Sequence, residues 1–349
     1  MASHNIKIPA YLNPIPREPQ ATYLAREIAQ LREALKQHPE DELYLTQRLL
    51  SYTSFFDPKE AIRLAGRMSI IDTKNMFTKE TYLALGRSYA QENEIEKAID
   101  NYRKGHEIDP SCEDCIIEWG GIHSVLGDFE NAIKVYELLD NDNIKNGKEN
   151  SYFQRAGAYF NLDQLDTALD YYKKALQLNP EDKDGFIAED LAKTLVEMQS
   201  YDEAIPWFKK ALEKKAEKAD SHYGIGVCYQ ALEDYYRALH HYTETLKLKP
   251  DYLFALNNIA YIFINNEGKP KEGIEMLEKA LETADDKIAL NYMYNNLRSA
   301  YGAKGDYDKA RYYKSLYIKN NGLDEEYIGE EEYDEDDEDY EDYEDDEME

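Results

Sequence analysis

Cys112-Glu-Asp-Cys115 is the spacing in this chain best suited to metal or redox chemistry, and His106 and His123 lie near enough in sequence to complete a four-ligand set. Four such ligands would suit tetrahedral zinc, and the cysteine pair alone would suit thiol–disulfide exchange. Three observations weigh against both. The sequence has no second cysteine pair, Glu113 and Asp114 disfavour a thiolate, and His123 falls in a column held elsewhere by Tyr89, Tyr159 and Tyr229. Other constellations are weaker. Gly224-Ile-Gly226 sits inside a helical pattern with no lysine placed as in a phosphate-binding loop. Ser3, Ser124 and Ser221 lie near histidines without a nucleophile-elbow pattern. His240-His241 reads as an exposed face beside a core edge. No catalytic, metal or cofactor residue is expected, and the chain reads as a non-enzyme.

All of these residues belong to a repeating frame. Small residues recur at Ala61, Ala98, Ala132, Ala168, Ala204, Ala238, Gly273 and Ala310, separated by 37, 34, 36, 36, 34, 35 and 37 residues. Seven of the eight are followed by Ile or Leu. Each period splits into two helical stretches. In one copy, Tyr82, Leu85, Gly86 and Tyr89 share a face, and Ile95, Ala98 and Tyr102 share a face of the next stretch. The polar run Gln91-Glu-Asn-Glu94 separates them, and Pro110 stops the second. A fixed period of this length signals one supersecondary unit stacked many times. Small side chains let the helices approach closely, and each aromatic is expected to fill the gap to the following unit.

This set of positions resembles the tetratricopeptide repeat family. The resemblance implies an all-α fold: a right-handed superhelical solenoid of about eight helix pairs over residues 42–321. Residues 21–41 read as an N-terminal capping helix, with Leu24, Ile28, Leu31 and Leu35 on one side. Residues 1–20, with Pro9, Pro14, Pro16 and Pro19, read as an extended arm, and residues 322–349 as a disordered acidic tail. Pro206, inside a helical stretch, predicts a kink.

In this family the first helix of each pair lines the inner groove. The resemblance therefore implies a peptide-binding set at Gln47, Phe153, Gln154, Tyr223, Asn257, Asn258, Tyr261, Tyr292, Asn295 and Asn296. Amides there can grip an extended backbone, and aromatics can hold apolar side chains. Relatives that hold acidic chaperone C-termini use a clamp of lysine, arginine and asparagine. Here Leu83 and Arg87, Ile117 and Gly121, and Phe153 and Gly157 occupy the comparable places, so the clamp is missing. With Glu118, Glu189 and Asp190 also in the groove, the expected ligand is a neutral or basic segment of another protein.

Charge narrows the function class further. Nineteen of the 71 acidic residues and none of the 41 basic ones follow Leu323, leaving 52 against 41, a net −11, for residues 1–323. So acidic a chain lacks the basic stripe that nucleic acid or anionic lipid would require. The tail itself, with Tyr327, Tyr333, Tyr340 and Tyr343, reads alternatively as a chaperone-like capture segment for basic clients. No membrane span or signal peptide is readable, and three cysteines fit a reducing compartment, so the expected location is cytoplasmic.

Overall fold

The computed structural model describes residues 20–38, 42–55, 57–71, 78–145, 147–214 and 218–322, with side chains from 25 onward except at 69–71. Among them the secondary structure is helical: α1 Gln20–Gln37, α2 Glu42–Thr53, α3 Pro58–Ile71, α4 Lys79–Gln91, α5 Ile95–Ile108, α6 Glu113–Val125, α7 Phe129–Tyr136, α8 Gly147–Asn161, α9 Leu165–Leu178, α10 Phe186–Glu197, α11 Tyr201–Lys214, α12 Ala219–Ala231, α13 Tyr235–Leu248, α14 Leu253–Asn265, α15 Pro270–Leu281, α16 Lys287–Ala303 and α17 Tyr307–Asn321. The proline-containing arm, apart from the helical Gln20, and the acidic tail beyond Gly322 lie outside the described residues.

The chain forms two compact units divided between Gln199 and Ser200. In the first, α1 packs on α2, the pairs α2–α3, α4–α5, α6–α7 and α8–α9 stack in sequence, and α10 lies against α9. Leu31 of α1 is buried with Leu45, Leu49 and Leu50 of α2 and Leu64 and Met68 of α3. In the second unit α11 packs on α12, and the pairs α12–α13, α14–α15 and α16–α17 follow. Each neighbouring pair in a stack supplies the core of the next, so burial is distributed and has no single centre.

The column of small residues is where helices meet. Its seven alanines are at most 1% exposed. Gly273 takes the column's place in α15 because a Cβ there would stand 2.8 Å from the Ala260 carbonyl oxygen and 2.7 Å from Ile264. The aromatic column behaves partly against expectation. Tyr102, Tyr136 and Tyr242 lie over Gly86, Gly120 and Gly226 of their own pairs, where a Cβ would come within 2.4, 2.3 and 2.6 Å of the rings. At these three steps a residue without a side chain leaves room for the tyrosine ring. Phe208 follows the expected rule, its ring filling the space over Gly224 of the next pair. Pro206 does not end α11, and its ring lies on the helix's exposed face. The connector from Leu139 to Glu149 is polar in sequence, yet Leu139 and Ile144 are buried and anchor it to the core.

A second periodic feature sits five residues before the small column. Asn93, Gly127, Asp163, Gln199, Glu233, Gly268 and Gly305 all adopt a left-handed backbone, with φ between 58° and 74°. Each lies in the turn between two helices and reverses the chain after a helix C-terminus. Gln199 and Glu233 have no intrinsic preference for this conformation, which costs an L-residue about 1–2 kcal/mol. Glu233→Gly is expected to raise the stability of the second unit by about 0.5–1 kcal/mol, the strain relieved less the extra entropy of glycine. Chemical denaturation of the two proteins side by side measures it, and a destabilised variant would contradict the turn assignment.

Candidate functional site

A concavity lies within the second unit, where the first helices of three pairs contribute to one lining. From α12 come Tyr223, Val227, Gln230 and Ala231; from α14, Phe254, Asn257, Asn258 and Tyr261; from α16, Ile288 and Tyr292. Tyr235 and Tyr242 of α13 complete the lining, and the space measures about 500 Å³. Tyr223, Val227 and Gln230 fall on one helical stripe at spacings of four and three, which points them the same way.

The floor is a chain of hydrogen bonds that crosses all three pairs. Asn296 Nδ2 donates to Asn257 Oδ1 at 2.8 Å, and Asn257 Nδ2 to Asn258 Oδ1 at 3.3 Å. Asn258 Nδ2 donates to the Tyr242 hydroxyl at 3.0 Å, and that hydroxyl to Gln230 Oε1 at 2.7 Å. Such a series joins consecutive repeats through side chains and holds their spacing. The walls are aromatic. Tyr223 packs 5.7 Å from Tyr242 and 5.1 Å from Tyr252, and Phe254 meets Tyr292 edge-on at 6.3 Å.

No lysine, arginine, aspartate, glutamate or histidine is among the twelve lining residues. Burial pushes the Tyr242 phenol far above its ordinary value, and burial raises Tyr223 despite a hydrogen bond from Asn258. The pocket is therefore uncharged across the physiological pH range, in a chain that is 32% charged.

The sequence-derived set divides between the two units. Tyr223, Asn257, Asn258, Tyr261 and Tyr292 meet in this pocket. Asn296 belongs to its hydrogen-bonded floor, while Asn295 is exposed one residue away. Asn257 is only 5% exposed, so its amide serves the floor more than the surface. Val227, Gln230, Tyr235 and Ile288 were not singled out from the sequence, although Val227 and Gln230 continue the Tyr223 stripe. The Tyr242 ring packs in the core, and its hydroxyl faces the polar floor.

Gln47, Phe153 and Gln154 lie in the first unit. Gln47 Nε2 donates to Thr78 Oγ1, linking α2 to the start of α4. Phe153 packs 5.9 Å from Tyr172 and lines a second cleft of about 460 Å³ with Glu149, Leu178, Asp184 and Phe186. Gln154 is half-buried on α8. The charges expected to repel acidic ligands are paired: Arg87 Nε stands 2.8 Å from Glu118, and Lys193 Nζ 3.0 Å from both Glu189 and Asp190.

Cys112 and Cys115 are joined in a disulfide, their Cα atoms 5.3 Å apart. Cys228 is the free cysteine among the described residues. Cys112 precedes α6 and Cys115 stands in its first turn, a placement that brings residues three apart to one side of the helix. His123 Nδ1 meets Asp128 at 2.9 Å, and His106 is half-buried, its ring held below the usual imidazole range by burial. Among the described residues no three His, Cys, Asp or Glu side chains converge as metal ligands. None of the described helices is long and apolar enough to cross a membrane.

Tetratricopeptide repeat models match residues 79–112, 150–182, 189–216 and 219–252, in phase with the helix pairs. This chain is a tetratricopeptide repeat protein. The repeat protein is 26% identical to the TPR repeat-containing protein YpiA of Bacillus subtilis over 78% of its own length and 61% of that protein's. It is 24% identical to the tetratricopeptide repeat-containing protein trd-1 of Caenorhabditis elegans, covering 48% of this chain and 21% of the relative. It thus spans only part of these curated relatives. Among solved structures, a tetratricopeptide repeat protein from Parabacteroides merdae superposes with a TM-score of 0.55 at 16% identity, covering 72% of this chain and 95% of the other. The APC/C hetero-tetramer Cut9–Hcn1 gives 0.54 at 18% identity, covering 78% and 52%. At these identities the likeness is one of fold.

Proposed function

We propose that this tetratricopeptide repeat protein is a non-enzymatic adaptor that binds an extended segment of another protein in its repeat groove. Proteins of this family generally mediate protein–protein interaction. The observation that carries the reading is the uncharged pocket of the second unit, where five of the ten groove residues converge and a sixth, Asn296, joins their floor. Aromatic walls over a polar floor suit a ligand that presents apolar side chains and backbone amides together. Gln47, Phe153, Gln154 and Asn295 belong to the same proposal as outlying contacts.

Affinity capture with the wild-type chain and with Asn258→Ala/Asn296→Ala tests it. Partner recovery is expected to fall at least about tenfold in the variant, the loss typical of central interface residues. Unchanged recovery by a folded variant, checked by circular dichroism, would refute the groove assignment. A parallel truncation lacking residues 324–349 is expected to keep the partner. Loss of recovery on truncation alone would transfer binding to the acidic tail, the capture role that its 19 acidic residues allow. The same reading places the protein in the cytoplasm, away from nucleic acid and membrane.

A further inference from the structure

The pocket of the second unit has a composition that narrows its occupant beyond a neutral or basic segment. We propose that it takes an uncharged, proline-rich stretch of a partner protein in the polyproline II conformation, an inference that rests on the groove function proposed above. The lining contains no charged side chain. A charged ligand group would lose hydration there and meet no counter-ion, which disfavours basic and acidic residues alike.

Proline matches what remains. Its ring carries no charge and lays a flat apolar surface on an aromatic face. Tyr261, Tyr292 and Ile288 hold such surface open at the mouth, 39%, 55% and 61% exposed. A polyproline II strand makes no internal hydrogen bonds, and each proline contributes a carbonyl acceptor without an N–H. The pocket faces it with groups able to donate: the hydroxyls of Tyr223, Tyr261 and Tyr292 and the amide of Gln230.

Three residues of polyproline II advance about 9.3 Å, so successive turns of an extended ligand can meet in series the residues that α12, α14 and α16 contribute to the lining. Because φ is already set in proline, little conformational entropy is lost on docking, which favours this ligand in an open groove. A helical ligand fits less well, since its apolar stripe would lie across the amide chain of Asn257, Asn258 and Asn296.

Acetylated decaproline titrated into the full-length chain is the direct probe. Saturable binding is expected, weakened at least about tenfold by Tyr261→Ala and by Tyr292→Ala, the loss typical of aromatic anchors. Both side chains are exposed, so circular dichroism should show an unchanged fold. Affinity should change little between low and high salt, because no ionic contact is made. Failure of decaproline to bind overturns the proposal. If proline-free peptides selected from a random library bind instead, and lose binding in the same two variants, the groove function survives without the proline assignment. If the selected peptides ignore both variants, the groove function itself fails. Deletion of residues 1–19, which carry Pro9, Pro14, Pro16 and Pro19, should leave decaproline affinity unaltered. A tenfold gain would make the chain's own arm the occupant and overturn the assignment to a partner.

Discussion

Replacing Tyr242 by alanine should destabilise the second unit by about 3–5 kcal/mol, the range for truncating a large buried aromatic. The side chain is fully buried, its ring packs over Gly226, and Tyr223 stands against it. Removing it empties the space between α12 and α13 and takes away the hydroxyl that joins Asn258 to Gln230. Tyr242→Phe separates the two contributions. It keeps the packing but leaves one amide donor and one amide acceptor without a partner, for an expected cost of about 1–3 kcal/mol. In a stacked array the damage should stay local, so unfolding followed in urea is expected to show an early phase from the second unit, with the first unit's transition unmoved. A loss below about 1 kcal/mol for the alanine variant would show that the ring is not part of the core.

Acidification should weaken the same unit through a histidine pair outside the groove. His222 Nδ1 and His241 Nδ1 lie 3.1 Å apart between α12 and α13. His240 stacks edge-on against His241 at 5.1 Å, and Tyr229 lies 5.8 Å from it. Lys209 of α11 adds positive charge, while Glu244 is the one acid acting on the ring. Burial, and then the neighbouring His222, His240 and Lys209, pull His241 down to about 4 from 6.5; burial lowers His222 as well. Both rings are thus favoured neutral in the folded chain, whereas the unfolded chain protonates them near the ordinary value. The contribution of His241 is complete above about pH 6.5 and is lost as the pH falls towards 4, a loss of about 2–3 kcal/mol, and His222 acts in the same direction. Denaturant midpoints measured across that window should fall more steeply for the wild type than for His241→Gln, which cannot take the proton. Parallel curves for the two proteins would show that the pair does not sense pH.

The helical period, the small column and the two helices of each pair were legible in the residues, because interleaved spacings of three and four and a constant repeat length are local properties of the chain. So were five of the twelve pocket residues, since one face of a first helix can be followed along a sequence. The turn geometry was legible only in places. Gly127, Gly268 and Gly305 announce a left-handed residue, but Gln199 and Glu233 adopt it at the same step with no such signal in their residue type. Tertiary structure also decided which gap each aromatic fills. Tyr102, Tyr136 and Tyr242 settle over the glycine of their own pair and Phe208 over the glycine of the next, a choice made by the space a missing Cβ leaves.

The amides show the same division. Sequence alone presents Asn257, Asn258 and Asn296 as separate polar residues on successive first helices. Folding brings residues 39 apart into hydrogen-bond contact, and an amide that could have faced a ligand becomes the strut between repeats. What the residue order determined by itself is a stack of paired helices, written in short-range spacing. Whether any one polar or aromatic group is spent inside that stack or left at its surface was decided only when distant turns closed on each other, since burial and partnership are properties of neighbours in space.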